Sequence, residues 1–155
     1  MLDEFFCTYK TNSPVVFEEK DQDKIKIVQL FIENGIMKIS DKSYPIVYGD
    51  VFFIDAGQEY SIEELDEEVI QSSVMIDAVY LEEIAKLLNF KKEYHQILKK
   101  YGSTHVAAPH YKAIDQRFKE AFSVYTAEKT FAQALFISRI IELFNYAVIT
   151  INKRK

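Results

Sequence analysis

One cysteine, four glycines, three prolines, three histidines and no tryptophan stand in 155 residues. A single cysteine, Cys7, permits no internal disulfide and suits a reducing cytoplasm; with no histidine near it, it reads as a small apolar packing residue. The histidines, His95, His105 and His110, all fall in the second half. His105 and His110 flank a loop and could meet there, but no carboxylate is placed to join them, so neither a metal nor a cofactor is expected. The glycine shortage leaves no phosphate-cradling loop and no Gly-x-Ser-x-Gly elbow, and no zincin-type histidine pair is present. No nucleophile, base and orienting group fall together, so no catalytic residue is expected and the chain reads as a non-enzyme. No apolar run approaches the roughly 20 residues of a spanning helix, and residues 1–4 are acidic where a signal peptide would be basic. No membrane partner is therefore expected, and the cytoplasm is the expected location.

Positive charge is scarce in the first half. Residues 1–76 hold 6 Lys and Arg against 16 Asp and Glu, whereas residues 77–155 hold 13 against 8. An acidic first half repels a phosphate backbone, and the second half is too mildly and diffusely basic to make a nucleic-acid surface. The asymmetry marks two structural regions within one domain of 155 residues, 1–76 and 77–155.

Residues 1–76 read as short strands. Candidates are 5–11, 15–17 after Pro14, 24–32, 36–39, 44–48, 51–54 and 69–76. The third begins by alternating polar with apolar residues, the period of two that a strand imposes. Asn34-Gly35 is a hairpin signal, because both residues tolerate the left-handed conformation. Gly49 and Gly57 bracket the apolar run Val51-Phe52-Phe53-Ile54, which reads as a buried strand between two reversals. The acidic tract 59–68 lacks the alternating spacing of a calcium loop and reads as a solvated hairpin tip.

After residue 76 the period changes to that of helices: 79–90, 94–101, 110–125 and 129–151, with 102–109 as a loop. The last helix is apolar over a wide arc, because Phe136, Ile140, Leu143 and Ile149 extend its stripe beyond one face. It is expected to touch both the strands and something else. Strands followed by helices make the chain α+β.

Twelve Phe and ten Tyr suggest a mostly apolar chamber with a few polar handles, the usual makeup of a small-molecule site. Along 69–76, Val69, Gln71, Ser73 and Met75 share one face. That mixture of amide, hydroxyl and thioether makes Gln71, Ser73 and Met75, together with Tyr9, the candidate ligand-binding residues of the interior.

Three segments in order resemble a known family. They are Phe31-Ile32-Glu33-Asn34-Gly35, the run from Gly49 to Gly57, and Ile76-Asp77-Ala78-Val79-Tyr80-Leu81-Glu82-Glu83-Ile84, with two amphipathic helices closing the chain. Over residues 24–151 the chain resembles the N-terminal effector-sensing domain of AraC-type transcription regulators. The resemblance implies a cupin-like antiparallel β-barrel (a double-stranded β-helix, or jelly roll) followed by C-terminal amphipathic helices. It also implies a small-molecule effector of unknown type and a homodimer through the last helix, for which Phe136, Ile140, Leu143 and Phe144 are the candidate interface residues. DNA is met in that family through a helix-turn-helix pair, which residues 152–155 do not supply. Cupin enzymes follow the glycine, after five residues, with a proline and then a metal-binding histidine. Here Asp55 and Tyr60 stand at those places, which argues for a barrel without metal. A metal-dependent cupin enzyme and a pure dimerisation module are the alternatives.

Overall fold

The computed structural model describes residues 5–63, 68–99, 103–107, 111–127 and 131–153. Eight strands precede or interrupt four helices: β1 Phe5–Asn12, β2 Lys24–Leu30, β3 Ile36–Ile39, β4 Lys42–Pro45, β5 Val51–Ile54, β6 Tyr60–Glu63, β7 Ile70–Asp77, α1 Ala78–Leu87, α2 Lys91–Leu98, β8 Ser103–Val106, α3 Tyr111–Ala127 and α4 Ala132–Lys153. The α+β expectation holds.

The strands form two antiparallel sheets, one ordered β1-β7-β2-β5-β8 and the other β4-β3-β6. Of the expected cupin-like β-barrel with C-terminal helices, the antiparallel sheets and the helices are present; pairing among the described residues does not close the two sheets into a barrel. Alternation along the strands sorts the side chains of the larger sheet. Ile25, Ile27, Val51, Phe53, Val74 and Ile76 join a core with the helices, while Val28, Leu30, Phe52 and Ile54 join a second core with Met37, Ile39 and Tyr60 of the smaller sheet. The β region is thus a sandwich whose larger sheet is buried on both faces, which explains the unbroken apolar run 51–54.

Several local expectations change. Asn34-Gly35 is not a hairpin tip, because β2 and β3 lie in different sheets. The tight reversal lies one strand later, where Ile39 pairs with Lys42 and Ser40 takes φ 53°. Residues 15–17 contribute only the bridge Val16↔Ser61, crossing to the edge of the smaller sheet. Within the expected loop 102–109, β8 pairs with β5 from Val51↔Val106 to Ile54↔Ser103. Its strand former Val106 stands in a run too short to reveal a strand without its partner. The tip of the acidic tract, 64–67, lies outside the described residues, as does His110.

The helices cover the larger sheet. Asp77 caps α1, its carboxylate accepting from Tyr80 N at 2.9 Å. Ile114, Phe118 and Ala121 of α3 and Phe136, Ile140, Leu143, Phe144 and Ala147 of α4 meet in the core. Phe144 anchors it, with its ring 5.3 Å from Phe53 and 6.1 Å from Tyr94. The apolar content of α4 exceeds what the residue runs suggest. Residues 132–152 reach a mean hydropathy of 1.6, long and apolar enough by composition to cross a membrane. Yet its inward positions are spent on the core of this chain.

Candidate functional site

The space between the sheets is the natural place for a site, because polar side chains enter it from the face of β7 opposite Val74 and Ile76. Three of the four expected ligand-binding residues lie there. The cross-strand pairs Leu30↔Gln71, Val28↔Ser73 and Lys26↔Met75 put Gln71, Ser73 and Met75 on the face of the interior core. Tyr9 does not join them. Cys7 and Tyr9 belong to the opposite face, and the Tyr9 ring stacks on Phe122 of α3 at 6.3 Å. Two residues after Cys7, Tyr9 keeps the face that meets the helical layer; the register shift between Thr8 and Thr11 follows.

The polar handles are partly used by the chain itself. Ser73 Oγ and Thr8 Oγ1 share a hydrogen bond of 2.9 Å across the β1–β7 pair. Gln71 Nε2 donates to Ser13 O, Ser13 Oγ and Pro14 O at 3.0–3.1 Å, tying down the segment that crosses between the sheets. Its Oε1 is buried with no hydrogen-bond partner. With Gln71 only 4% exposed, that oxygen is an unused acceptor in the wall of the sandwich.

Lys26 is the residue that sequence reasoning missed. It lies on the interior face of β2, between Ile54 of β5 and Met75 of β7, and is 8% exposed. Its ammonium lies 5.1 Å from the centroid of the Tyr60 ring. No described carboxylate is within ion-pairing distance; Asp21 and Glu18 act on it only from farther away. Burial lowers its pKa to about 8, against which the more distant Asp21 and Glu18 pull weakly. Burial likewise pushes the Tyr60 hydroxyl up to about 12. Tyr60 also walls a groove of about 410 Å³ shared with Val16, Phe17, Lys38, Ser40, Glu59 and Ser61. The signal for Lys26 was present, because the alternation Lys24-Ile25-Lys26-Ile27 puts it on the face of Val28 and Leu30. That face became readable as interior only once both faces of the sheet were seen to be covered.

At the opposite seam, His105 Nε2 lies 2.8 Å from Asp50 Oδ2, which also accepts from Val47 N at 2.9 Å. A carboxylate can only accept, so the proton sits on Nε2. The imidazole stacks on Phe52 at 4.7 Å and faces Tyr44 of the smaller sheet at 5.5 Å. His95 pairs with Glu82 at 3.2 Å on the helical side. Among the described residues no group of three or more His, Cys, Asp or Glu is placed to hold a metal ion. Asp55 bonds Lys99 at 3.1 Å and Tyr60 is buried in the sandwich, so neither presents a ligand to a common point.

The four residues expected at a dimer interface are interior instead. Phe136, Ile140, Leu143 and Phe144 are at most 2% exposed, filling the space between α4 and the larger sheet. A wide apolar arc was legible, but which part of it faces the sheet depends on how α4 is rotated. The large apolar side chains it leaves exposed are Leu135 and Ile149.

No family model matches the sequence, and no curated protein is similar to it. Among solved structures, the chain is similar over 94% of its length to ToxT from Vibrio cholerae, at 16% identity and a TM-score of 0.52, covering 56% of that chain. A cupin 2 conserved barrel domain protein from Salinispora arenicola overlaps 53% of this chain and 67% of its own, at 17% identity and a TM-score of 0.36. An oxalate decarboxylase from Bacillus subtilis overlaps 48% of this chain and 25% of its own, at 19% identity and a TM-score of 0.30. At 16% identity the likeness to ToxT is one of fold.

Proposed function

We propose that this chain is the ligand-sensing and dimerisation domain of an AraC-type transcription regulator, binding a small effector between its sheets. The observation that carries the reading is the match to ToxT, an AraC-family regulator, across sandwich and helices together. The unused Gln71 acceptor and the buried Lys26, with no described carboxylate beside it, supply polar handles in an otherwise apolar interior. That is the composition a small-molecule site needs. Occupancy is transmitted by differential affinity for two arrangements of sandwich and helices. DNA is reached through helix-turn-helix units outside this sequence, and the place of action is the cytoplasm. Two copies pair through the outward face of α4, where Leu135 and Ile149 are exposed. No catalysis is proposed.

A thermal-shift screen of sugars, amino acids, aromatic compounds and lipid-like compounds is the test. Stabilisation that rises with concentration and weakens in Gln71→Leu supports the reading; no response to any class overturns it. Stoichiometric iron, manganese or zinc in the purified protein would place the chain among cupin enzymes instead. Light scattering decides the dimer, with Leu135→Glu expected to yield monomers.

A further inference from the structure

We infer that the bulge of β1 at Tyr9 and Lys10 is a clasp that couples the interior hydroxyl pair Ser73–Thr8 to α3. The inference rests on the reading that an effector enters between the sheets, and it names the element that carries occupancy to the helices. Its basis is a departure from alternation. Consecutive residues of a strand face opposite sides, yet Tyr9 and Lys10 both reach α3. The Tyr9 ring stacks on Phe122 at 6.3 Å, and Lys10 Nζ lies 3.4 Å from Asp115 Oδ2. Lys10 achieves this with φ 45°, in the left-handed region that a residue with a Cβ disfavours.

Side-chain hydroxyls hold the bulge where a regular ladder uses carbonyls. Lys10 N donates to Ser72 Oγ at 2.9 Å, and Ser73 N donates to Thr8 Oγ1 at 3.1 Å. Thr8 Oγ1 also shares the 2.9 Å bond with Ser73 Oγ, a candidate handle of the interior face. The Thr8 hydroxyl therefore fixes one end of the bulge, and the grip on α3 forms the other.

Register supplies the second state. Pairing runs from Phe5↔Ile76 to Thr8↔Ser73 and resumes, shifted by one residue, at Thr11↔Gln71. Carried on unshifted, it would set Lys10 opposite Gln71, on the interior face and away from Asp115. Asp115, with a side chain only 20% exposed, would then lose the cation described beside it. Its Oδ1 is already buried with no hydrogen-bond partner among the described residues. The two registers thus differ at α3 as well as at Ser73. An effector that takes the Ser73 hydroxyl releases Thr8 from it and shifts the balance between them.

Hydrogen–deuterium exchange of the full chain tests the clasp, read on peptides of α3 with α2 as the control. Thr8→Val keeps the side-chain shape and removes the hydroxyl. Exchange across α3 is expected to rise by roughly five-fold, the worth of one hydrogen bond, with α2 unchanged. Thr8→Ser, which restores the hydroxyl, should exchange as wild type. In a Tyr9→Leu, Lys10→Met background, where the clasp no longer holds α3, Thr8→Val should add nothing there. Unchanged α3 exchange in Thr8→Val overturns the proposal, and so does an equal rise in α2, the mark of general destabilisation. If Thr8→Val does not fold, Ser73→Ala, which keeps the backbone N–H bond to Thr8, gives the same reading. A screened compound that stabilises the protein while α3 exchange keeps its free rate leaves the sensor and removes the clasp. If no compound stabilises it and α3 still follows Thr8, the clasp stands and the sensor falls.

Discussion

Oδ2 of Asp50 and Nε2 of His105, 55 positions apart and 2.8 Å from each other, tie the turn before β5 to β8, the edge strand of the larger sheet. Asp50 is 1% exposed and its oxygen also holds Val47 N. Both the turn and the edge strand therefore depend on one buried carboxylate.

Asp50→Ala is expected to destabilise the fold by about 2–4 kcal/mol, since it strands a buried amide and an imidazole N–H. Asp50→Asn, which keeps an acceptor, should lose about half as much. Urea unfolding of the three proteins measures this. Equal stability of wild type and Asp50→Ala would refute the tie.

Gly49 and Gly57 both take positive φ, 89° and 81°, but their surroundings differ. A Cβ at Gly49 would lie 2.5 Å from Tyr111 Cβ, whereas one at Gly57 meets nothing within 4 Å. Gly57→Ala should cost about 1 kcal/mol, the strain of a left-handed alanine. Gly49→Ala should cost at least twice that, since α3 must move away. Thermal melts of the two variants decide it, and equal losses would contradict the close approach.

Lys26 gives a pH signature. Its folded pKa, about 8, lies below the ordinary 10.5, so between those values the unfolded chain binds the extra proton and stability rises with pH. The cost of burying the charge is fully present below pH 8, on the order of 3 kcal/mol. Lys26→Met should therefore be more stable than wild type at pH 7, and the gap should close as pH rises from 8 toward 10.5. A constant gap across that range would show that the lysine is not charged and buried.

The Cys7 thiol, 3% exposed, is pushed by burial up to about 12. The folded state therefore favours the neutral thiol, and the stability this contributes is lost as pH rises from 9 toward 12. Ellman's reagent at pH 8 should leave Cys7 unreacted in the folded chain and label it fully in denaturant.

Lys24-Ile25-Lys26-Ile27 and the run 51–54 announced strands because a period of two, or an unbroken apolar run between turns, is local information. The helical period after residue 76 did the same for the second half. By the same logic the face carrying Gln71, Ser73 and Met75 was legible, since alternation fixes which residues share a side. What local period cannot carry is the identity of the neighbour across the gap. Tyr9 went to the helices because it shares the face of Cys7, which meets the helical layer, and Phe136, Ile140, Leu143 and Phe144 went inward because of the rotation of α4. Strand β8 exists because β5 offers it a ladder, and Lys26 is a buried cation because two sheets close over it. Residue order alone was enough for the succession of strands and helices and for which side chains share a face. Which of those faces are interior emerged only from the folded chain, because burial belongs to contacts between segments far apart in sequence.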